Sequence, residues 1–218
     1  MSNLRILIAD DHDLMRRGLR SLLESHPGWS ISAEARTGRE AVTKADQLKP
    51  DIVILDVMMP ELNGVEAARR ILEASPHTEI LALSAHYSNQ LVRAILDAGV
   101  HGYIVKSDSD CDLVIAVEAL ANHKRFFTPR ATELILSNFN SKDGSSEVPE
   151  VIGERLTSRE REIVQLLSEG KNSKEVASIL RISVKTVETH RANIMRKLDI
   201  HSVSELVRYA VRNQIIEP

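Results

Sequence analysis

The chain is poor in aromatic residues and has one cysteine. Phe, Tyr and Trp make up 3% of its 218 residues, so its cores must be built from Leu, Ile, Val and Ala. Cys111 stands alone, which excludes an intramolecular disulfide and fits a reducing compartment. Its side chain is expected to be a small, semi-buried hydrophobe. No apolar run approaches the roughly 18 residues of a membrane-spanning helix. The opening Met1-Ser2-Asn3-Leu4-Arg5 lacks the basic region and long apolar core of a secretory leader. A cytoplasmic protein without membrane association is expected.

What is present suffices for packed domains. Hydrophobic residues make up 43%, and the length suggests one or two domains. The net charge of –3 conceals an asymmetry. Residues 1–149 hold 16 Lys and Arg against 21 Asp and Glu, a net of –5. Residues 150–218 hold 12 against 10, a net of +2. An acidic first part and a mildly basic second part imply a division of labour.

Ile52-Val53-Ile54-Leu55 is a short, unbroken apolar run, the mark of a strand buried on both faces. It ends in Asp56, and Pro60 stops any regular continuation. Similar short runs lie at Leu4–Ala9, Trp29–Ala35, Ile80–Leu83 and Tyr103–Val105. Helical patterns lie between and after them. Leu14, Gly18, Leu19, Leu22 and Leu23 share a face in the first, and the others cover 38–48, 64–74, 88–98 and 110–121. Strands alternating with helices predict an α/β domain with a doubly wound, five-stranded parallel sheet of roughly 120 residues.

Four of these strands end in polar groups: Asp10-Asp11, Asp56, Ser84 and Lys106. In a parallel sheet those ends share one edge, where such folds bind ligands. A lone Asp there is commonly just a turn residue; the convergence of all five residues is the specific signal. Three carboxylates held close repel one another, and a divalent cation lets them stay ionised together. Oxygen-only ligands suit Mg²⁺. Asp56 is then placed as a nucleophile towards a phosphoryl group. Lys106 would neutralise the transferred oxygens, and the Ser84 hydroxyl would bond one of them.

These residues resemble a response-regulator receiver domain over residues 4 to 122. The resemblance rests on Asp10-Asp11, Asp56, Met59-Pro60, Asn63-Gly64, Ser84, Tyr103 and Lys106. It implies a flavodoxin-like fold and transfer of a phosphoryl group from a histidine kinase to Asp56. It also implies a backbone carbonyl of Met58 as a further Mg²⁺ ligand beside Asp10, Asp11 and Asp56, and Tyr103 as a switch residue. On phosphorylation Ser84 is expected to move in, with Tyr103 turning inward behind it.

Residues 125–150 are expected to be a linker. Phe126 to Phe139 allows a short helix, and Asn140 to Pro149 is rich in Ser, Gly and charge. The receiver would then span 1–124 and a second, smaller all-α domain 151–218. There Thr157-Ser158-Arg159-Glu160 is a capping box. Further helices start near Asn172, Ser183 and Ser202, and the turn around Arg181-Ile182 has helix-turn-helix spacing. From pattern alone, this could equally be a protein-binding bundle. Leu156-Thr157-Ser158-Arg159-Glu160, Asn172 to Ala177 and Val184 to His190 resemble the LuxR-type helix-turn-helix.

With the receiver, the chain resembles the NarL/FixJ family of response regulators. That implies a phosphorylation-controlled transcription regulator that binds double-stranded DNA, pairs as a homodimer on it, and is not an enzyme. By position, Glu188, Thr189 and Ala192 would face base edges. Lys185, Thr186, His190 and Arg191 would lie at or near phosphates. Val203, Leu206, Val207 and Ala210 of the fourth helix would mediate dimerisation. Glu188 departs in charge from members with a basic residue there, and would either accept from cytosine N4 or simply face solvent. Two alternatives remain: an aspartyl phosphatase, and a receiver with a protein-binding output. The first suffers from Met58, which stands where such enzymes carry a proton-transferring Asp.

Overall fold

The computed structural model describes residues 3–85, 88–107, 110–140 and 156–217. The chain divides into two compact units after Asp143.

The first unit runs β1 (Leu4–Ala9), α1 (Asp13–Glu24), β2 (Trp29–Ala35), α2 (Gly38–Leu48), β3 (Ile52–Asp56) and α3 (Gly64–Ala74). It continues with β4 (Glu79–Ser84), α4 (Asn89–Asp97), β5 (Gly102–Val105), α5 (Asp110–Ala121), β6 (Phe126–Phe127) and α6 (Pro129–Asn140). All pairings are parallel, in the order β2-β1-β3-β4-β5-β6. The order reverses between β1 and β3, so the ligand crevice of this topology lies at their carboxyl ends.

Strand alternation explains why β3 has no polar face. Val53 and Leu55 enter a core shared with Ala41, Ala67, Ile71, Val92 and Ile95 of α2, α3 and α4. Ile52 and Ile54 enter the opposite core with Leu19, Leu23, Leu113 and Val117 of α1 and α5. Helices on both faces make every residue of the strand an interior one.

The sheet has six strands where five were expected. Phe126 and Phe127, both half-buried, pair with Gly102 and Tyr103 along the outer edge of β5. The chain then turns into α6, which packs against α4. Ala131 is fully buried there, and Ile135 packs on the same core. Residues 126–140 are therefore part of the first unit rather than linker; the polar residues 141–149 lie outside the described residues. Two further expectations fail on exposure. Leu14 is 85% exposed, because α1 turns Arg16, Leu19 and Leu23 inward instead. Cys111 is exposed rather than semi-buried.

The second unit is helical: α7 (Ser158–Ser168), α8 (Ser173–Leu180), α9 (Val184–Lys197) and α10 (Val203–Arg212). Thr157 with Glu160, and Asn172 with Glu175, form reciprocal capping boxes at α7 and α8. Ser183 and Ser202 cap α9 and α10. Arg181 in the left-handed conformation ends α8 and starts the turn into α9. One core joins the four helices through Ile163, Leu166, Val176, Val187, Ile194 and Leu206.

Candidate functional site

The crevice at the ends of β1, β3 and β5 is fixed by the backbone before any side chain acts. The Val57 N–H donates to the Leu83 carbonyl at 2.8 Å, continuing β3 one residue past Asp56. α3 then starts directly over that turn. The Asn63 side chain caps it by accepting from the Glu66 N–H, and the Gly64 N–H donates to the Val57 carbonyl at 2.7 Å. A Cβ on Gly64 would lie 2.1 Å from the Asp56 carbonyl oxygen. Only glycine permits this approach, which is the physical content of Asn63-Gly64.

The acidic residues meet as the strand ends require. Ligand atoms of Asp10, Asp11, His12 and Asp56 all lie within 4.8 Å of one another. Asp10 and Asp56 are buried, Asp11 and His12 exposed. Lys106 Nζ sits 2.8 Å from Asp10 Oδ2 and 2.8 Å from Asp56 Oδ2. The second Asp56 oxygen accepts from the Met58 N–H at 3.3 Å. Asp10 Oδ1 accepts from the His12 N–H at 2.8 Å, and His12 Nδ1 stands 2.9 Å from Asp11 Oδ1. Burial pushes the Asp56 carboxyl up to about 6, with Lys106 opposing and Asp10 adding to the rise. Burial also works against the Lys106 charge, but Asp56 and Asp10 outweigh it and raise its pKa. A cluster of hard oxygen donors around one point has the chemistry that Mg²⁺ requires.

Ser84 is buried at the end of β4, and its carbonyl accepts from the Lys106 N–H at 2.7 Å. Tyr103 has no exposed surface and belongs to the core with Val92, Ile95 and Ala131. The expected inward turn of Tyr103 thus starts from a ring that is already inside. His12, Arg16 and Glu34 were not anticipated as site residues. His12 directly follows the acidic pair, a signal open to notice. Arg16 and Glu34 carry none, since a charge on a helix or strand normally implies solvent.

In the second unit α9 buries Val187 and Ile194 and turns its other face outward. Lys185, Thr186, Glu188, Thr189 and Ala192 are exposed, while His190 and Arg191 are half-buried. The Thr189 hydroxyl donates to the Lys185 carbonyl at 2.9 Å, leaving only its lone pairs for a ligand. Thr186 is tied to Ser183, hydroxyl to hydroxyl at 2.8 Å. The four dimerisation candidates do not share a surface. Leu206 and Ala210 are 1% and 0% exposed and belong to the unit's own core. Val203 is 47% exposed and Val207 half-buried, so these two alone remain for a partner. The resemblance implied all four as contacts, but Leu206 and Ala210 lie on the inward stripe of an amphipathic helix.

No helix among the described residues is long and apolar enough to cross a membrane.

Comparison with known proteins agrees with both units. Residues 6–118 match the response regulator receiver domain, and residues 154–210 match the bacterial regulatory proteins of the luxR family. The response regulator protein VraR of Staphylococcus aureus is 34% identical, over 98% of this chain and 99% of that protein. A LuxR-family two-component response regulator from Aurantimonas sp. is 33% identical, with a TM-score of 0.61, over 64% of this chain and 99% of that one. The RcsB response regulator of Salmonella typhimurium is 25% identical, with a TM-score of 0.60, over 97% of this chain and 100% of that one. A structure of two RcsB dimers bound to two parallel DNAs is also 25% identical, with a TM-score of 0.58, over 95% and 98%. Such proteins are transcription regulators rather than classical enzymes. The chain belongs to the LuxR-family two-component response regulators: it is a DNA-binding transcription regulator controlled by phosphorylation of its receiver domain.

Proposed function

We propose that Asp56 is the phospho-acceptor, and that Asp10, Asp11, Asp56 and the Met58 carbonyl hold Mg²⁺ beside it. The observation that carries this reading is Lys106 Nζ at 2.8 Å from both Asp10 and Asp56. A cation bridging two buried carboxylates at a strand edge is placed to meet an incoming phosphoryl group. An Asp56 carboxylate oxygen attacks phosphorus while the P–N bond of the kinase phosphohistidine breaks. The imidazole leaves with the electron pair, and Asp56 becomes an acyl phosphate. Lys106 pairs with the phosphoryl oxygens, and the Ser84 hydroxyl donates to one of them. Mg²⁺, when bound, neutralises charge on that group and lets the carboxylates stay ionised together. Met58, two residues on, has no proton to transfer, which disfavours rapid turnover and lets the acyl phosphate last as a signal. The histidine kinase and this chain meet in the cytoplasm.

The receiver extends through β6 and α6, with the DNA-binding domain at 151–218. Tyr103 stands opposite Phe127 in register. A shift of β5 towards the phosphoryl group is therefore passed to β6 and on to α6, the last elements before the chain leaves the receiver. The output is pairing: two DNA-binding units held together gain avidity on half-sites one helical turn apart. That RcsB has been solved as dimers on DNA supports this. In each unit α9 enters the major groove. Glu188, Thr189 and Ala192 face base edges; Lys185, Thr186, His190 and Arg191 lie at phosphates. Val203 and Val207 of α10 form the contact between units.

Fluorescence anisotropy on a genomically selected two-half-site duplex tests the reading, with and without a small-molecule phosphodonor and Mg²⁺. Phosphodonor should tighten binding of the wild type by about 10²-fold, as avidity predicts, and leave Asp56→Asn unchanged. An equal response in Asp56→Asn moves the nucleophile elsewhere. No binding to any duplex at low salt favours a protein-binding output.

A further inference from the structure

One buried charge has no part in the phosphoryl chemistry just described. Arg16 lies on the inner face of α1 with 2% exposure, the largest fully buried side chain of the molecule among the described residues. A guanidinium in that position is costly unless it is paired and hydrogen-bonded. Its Nη1 donates to the backbone carbonyl of Asp10 at 2.8 Å. Its Nε reaches Glu34 Oε2 at 3.3 Å, and its Nη2 pairs with Asp13. Glu34 is itself anchored from outside: Arg20 Nε lies 2.6 Å from its other oxygen, and Lys44 Nζ donates to its carbonyl at 2.6 Å. The Arg20 hydrogen bond holds the Glu34 carboxyl below its usual range against burial, with Arg16 adding to that effect.

The consequence falls on Asp10. β1 ends at Ala9, and the Asp10 N–H makes one last bond to the Ala35 carbonyl at 3.1 Å. The Asp10 carbonyl lies past the last paired residue of β1, and a buried carbonyl needs a donor. Arg16 provides it. The Asp10–Asp11 peptide plane is thus gripped from behind, while the Asp10 carboxylate points forward to Lys106 and to the His12 N–H. The orientation of that plane decides where both carboxylates aim.

We propose that Arg16, with Glu34 as its counter-charge, is a positioning residue that presets Asp10 and Asp11 for the divalent cation. This rests on the Mg²⁺ reading above. Mg²⁺ demands near-ideal octahedral geometry, and groups that orient its ligands change affinity by about 10–100-fold when altered. The rigid fork matters as much as the charge. Lysine cannot bond the Asp10 carbonyl and both carboxylates in one plane.

The experiment is a Mg²⁺ titration of the full-length chain by amide NMR shifts at Asp11 and His12, with the thermal midpoint measured in EDTA. Arg16→Lys should raise the Mg²⁺ dissociation constant about 10-fold. Glu34→Gln leaves the guanidinium and its Asp13 pair in place and removes one of its two counter-charges, so it should move the constant the same way but by less than Arg16→Lys does. If both variants, or Glu34→Gln alone where Arg16→Lys does not fold, lower the midpoint but bind Mg²⁺ like wild type, Arg16 only ties α1 to β2 and the inference is overturned. If the wild type shows no Mg²⁺-dependent shift at Asp11 or His12, the metal reading itself fails and takes this one with it.

Discussion

The crevice around Asp56 and the outer face of α9 solve opposite problems. In the crevice, the central groups are buried and already engaged. Asp10 and Asp56 are out of solvent, and Lys106 holds both. On α9 the candidate contacts are mostly exposed, and their own hydrogen bonds are local ones within a helical turn. Chemistry on a phosphoryl group needs charge fixed before the ligand arrives, in a medium where each interaction is strong. Reading a duplex needs atoms left accessible, because bases and phosphates are to supply the partners. So the first region should answer a mutation through pKa and stability, and the second through salt and sequence preference.

The sharpest test of buried against exposed lies within one helix. Leu206 and Val203 both stand on α10, at 1% and 47% exposure. Leu206→Asp puts a carboxylate into the helical core and removes a buried side chain. That should cost about 4 kcal/mol or more and unfold the DNA-binding unit. Val203→Asp should change its stability by about 0.5 kcal/mol or less while weakening paired binding on two half-sites. Circular dichroism melts of residues 151–218 and anisotropy of the full chain measure the two effects. A folded Leu206→Asp variant that has merely lost pairing would restore Leu206 to the dimer surface.

The crevice makes a prediction with a pH window. Burial raises the Asp56 carboxyl to about 6 from an ordinary value near 3.8. The neutral form is therefore favoured in the folded state. Its stabilising contribution is complete below pH 4 and is lost as pH rises through 6. In metal-free buffer at pH 7.5, the ionised carboxylate costs the fold up to about 3 kcal/mol. Asp56→Asn, neutral at every pH, should be more stable than wild type there by about 1–3 kcal/mol. The smaller figure allows for Lys106, which keeps Asp10 but loses one partner. The gap should close towards pH 4. A variant that is less stable than wild type at pH 7.5 would mean that the Lys106 pair outweighs burial.

The same contrast explains what could be read from the sequence. Ile52 to Leu55 and Leu4 to Ala9 declared buried strands because both faces are covered. Asp10, Asp11, Asp56, Ser84 and Lys106 then converged by topology alone, through carboxyl ends that must share an edge. β6 was invisible because two phenylalanines carry no period, and its pairing with Tyr103 is set by the chain that precedes it. Arg16 was hidden for the reverse reason: its helix is amphipathic, and a charge on the inner stripe reads as solvent-facing until partners from β1 and β2 are known. For α10 the apolar spacing was seen, but a 3.6-residue stripe looks identical whether it meets its own core or a second molecule. Leu206 and Ala210 went to the core.

The weakest expected effect tests the α9 face, and it turns on separating charge from readout. Lys185 is exposed in the first turn of the helix, and the proposed groove entry would set its ammonium beside the phosphate backbone. Each phosphate neutralised releases counterions, and the slope of log affinity against log salt falls by about 0.9 per contact on duplex DNA. Lys185→Ala should therefore lower binding to specific and random duplexes alike and flatten that slope by about one unit. Thr189→Ala, next along the same face, should leave the slope untouched. Its hydroxyl hydrogen is spent on the Lys185 carbonyl, so only its lone pairs and its methyl are left for a base amino group or a thymine methyl. Removing them should relax preference at one base position by about 1–2 kcal/mol. Anisotropy at four salt concentrations on a specific and a scrambled duplex separates the two. An unchanged slope in Lys185→Ala, with preference altered instead, would mean that Lys185 reads bases and that α9 enters the groove by a different edge.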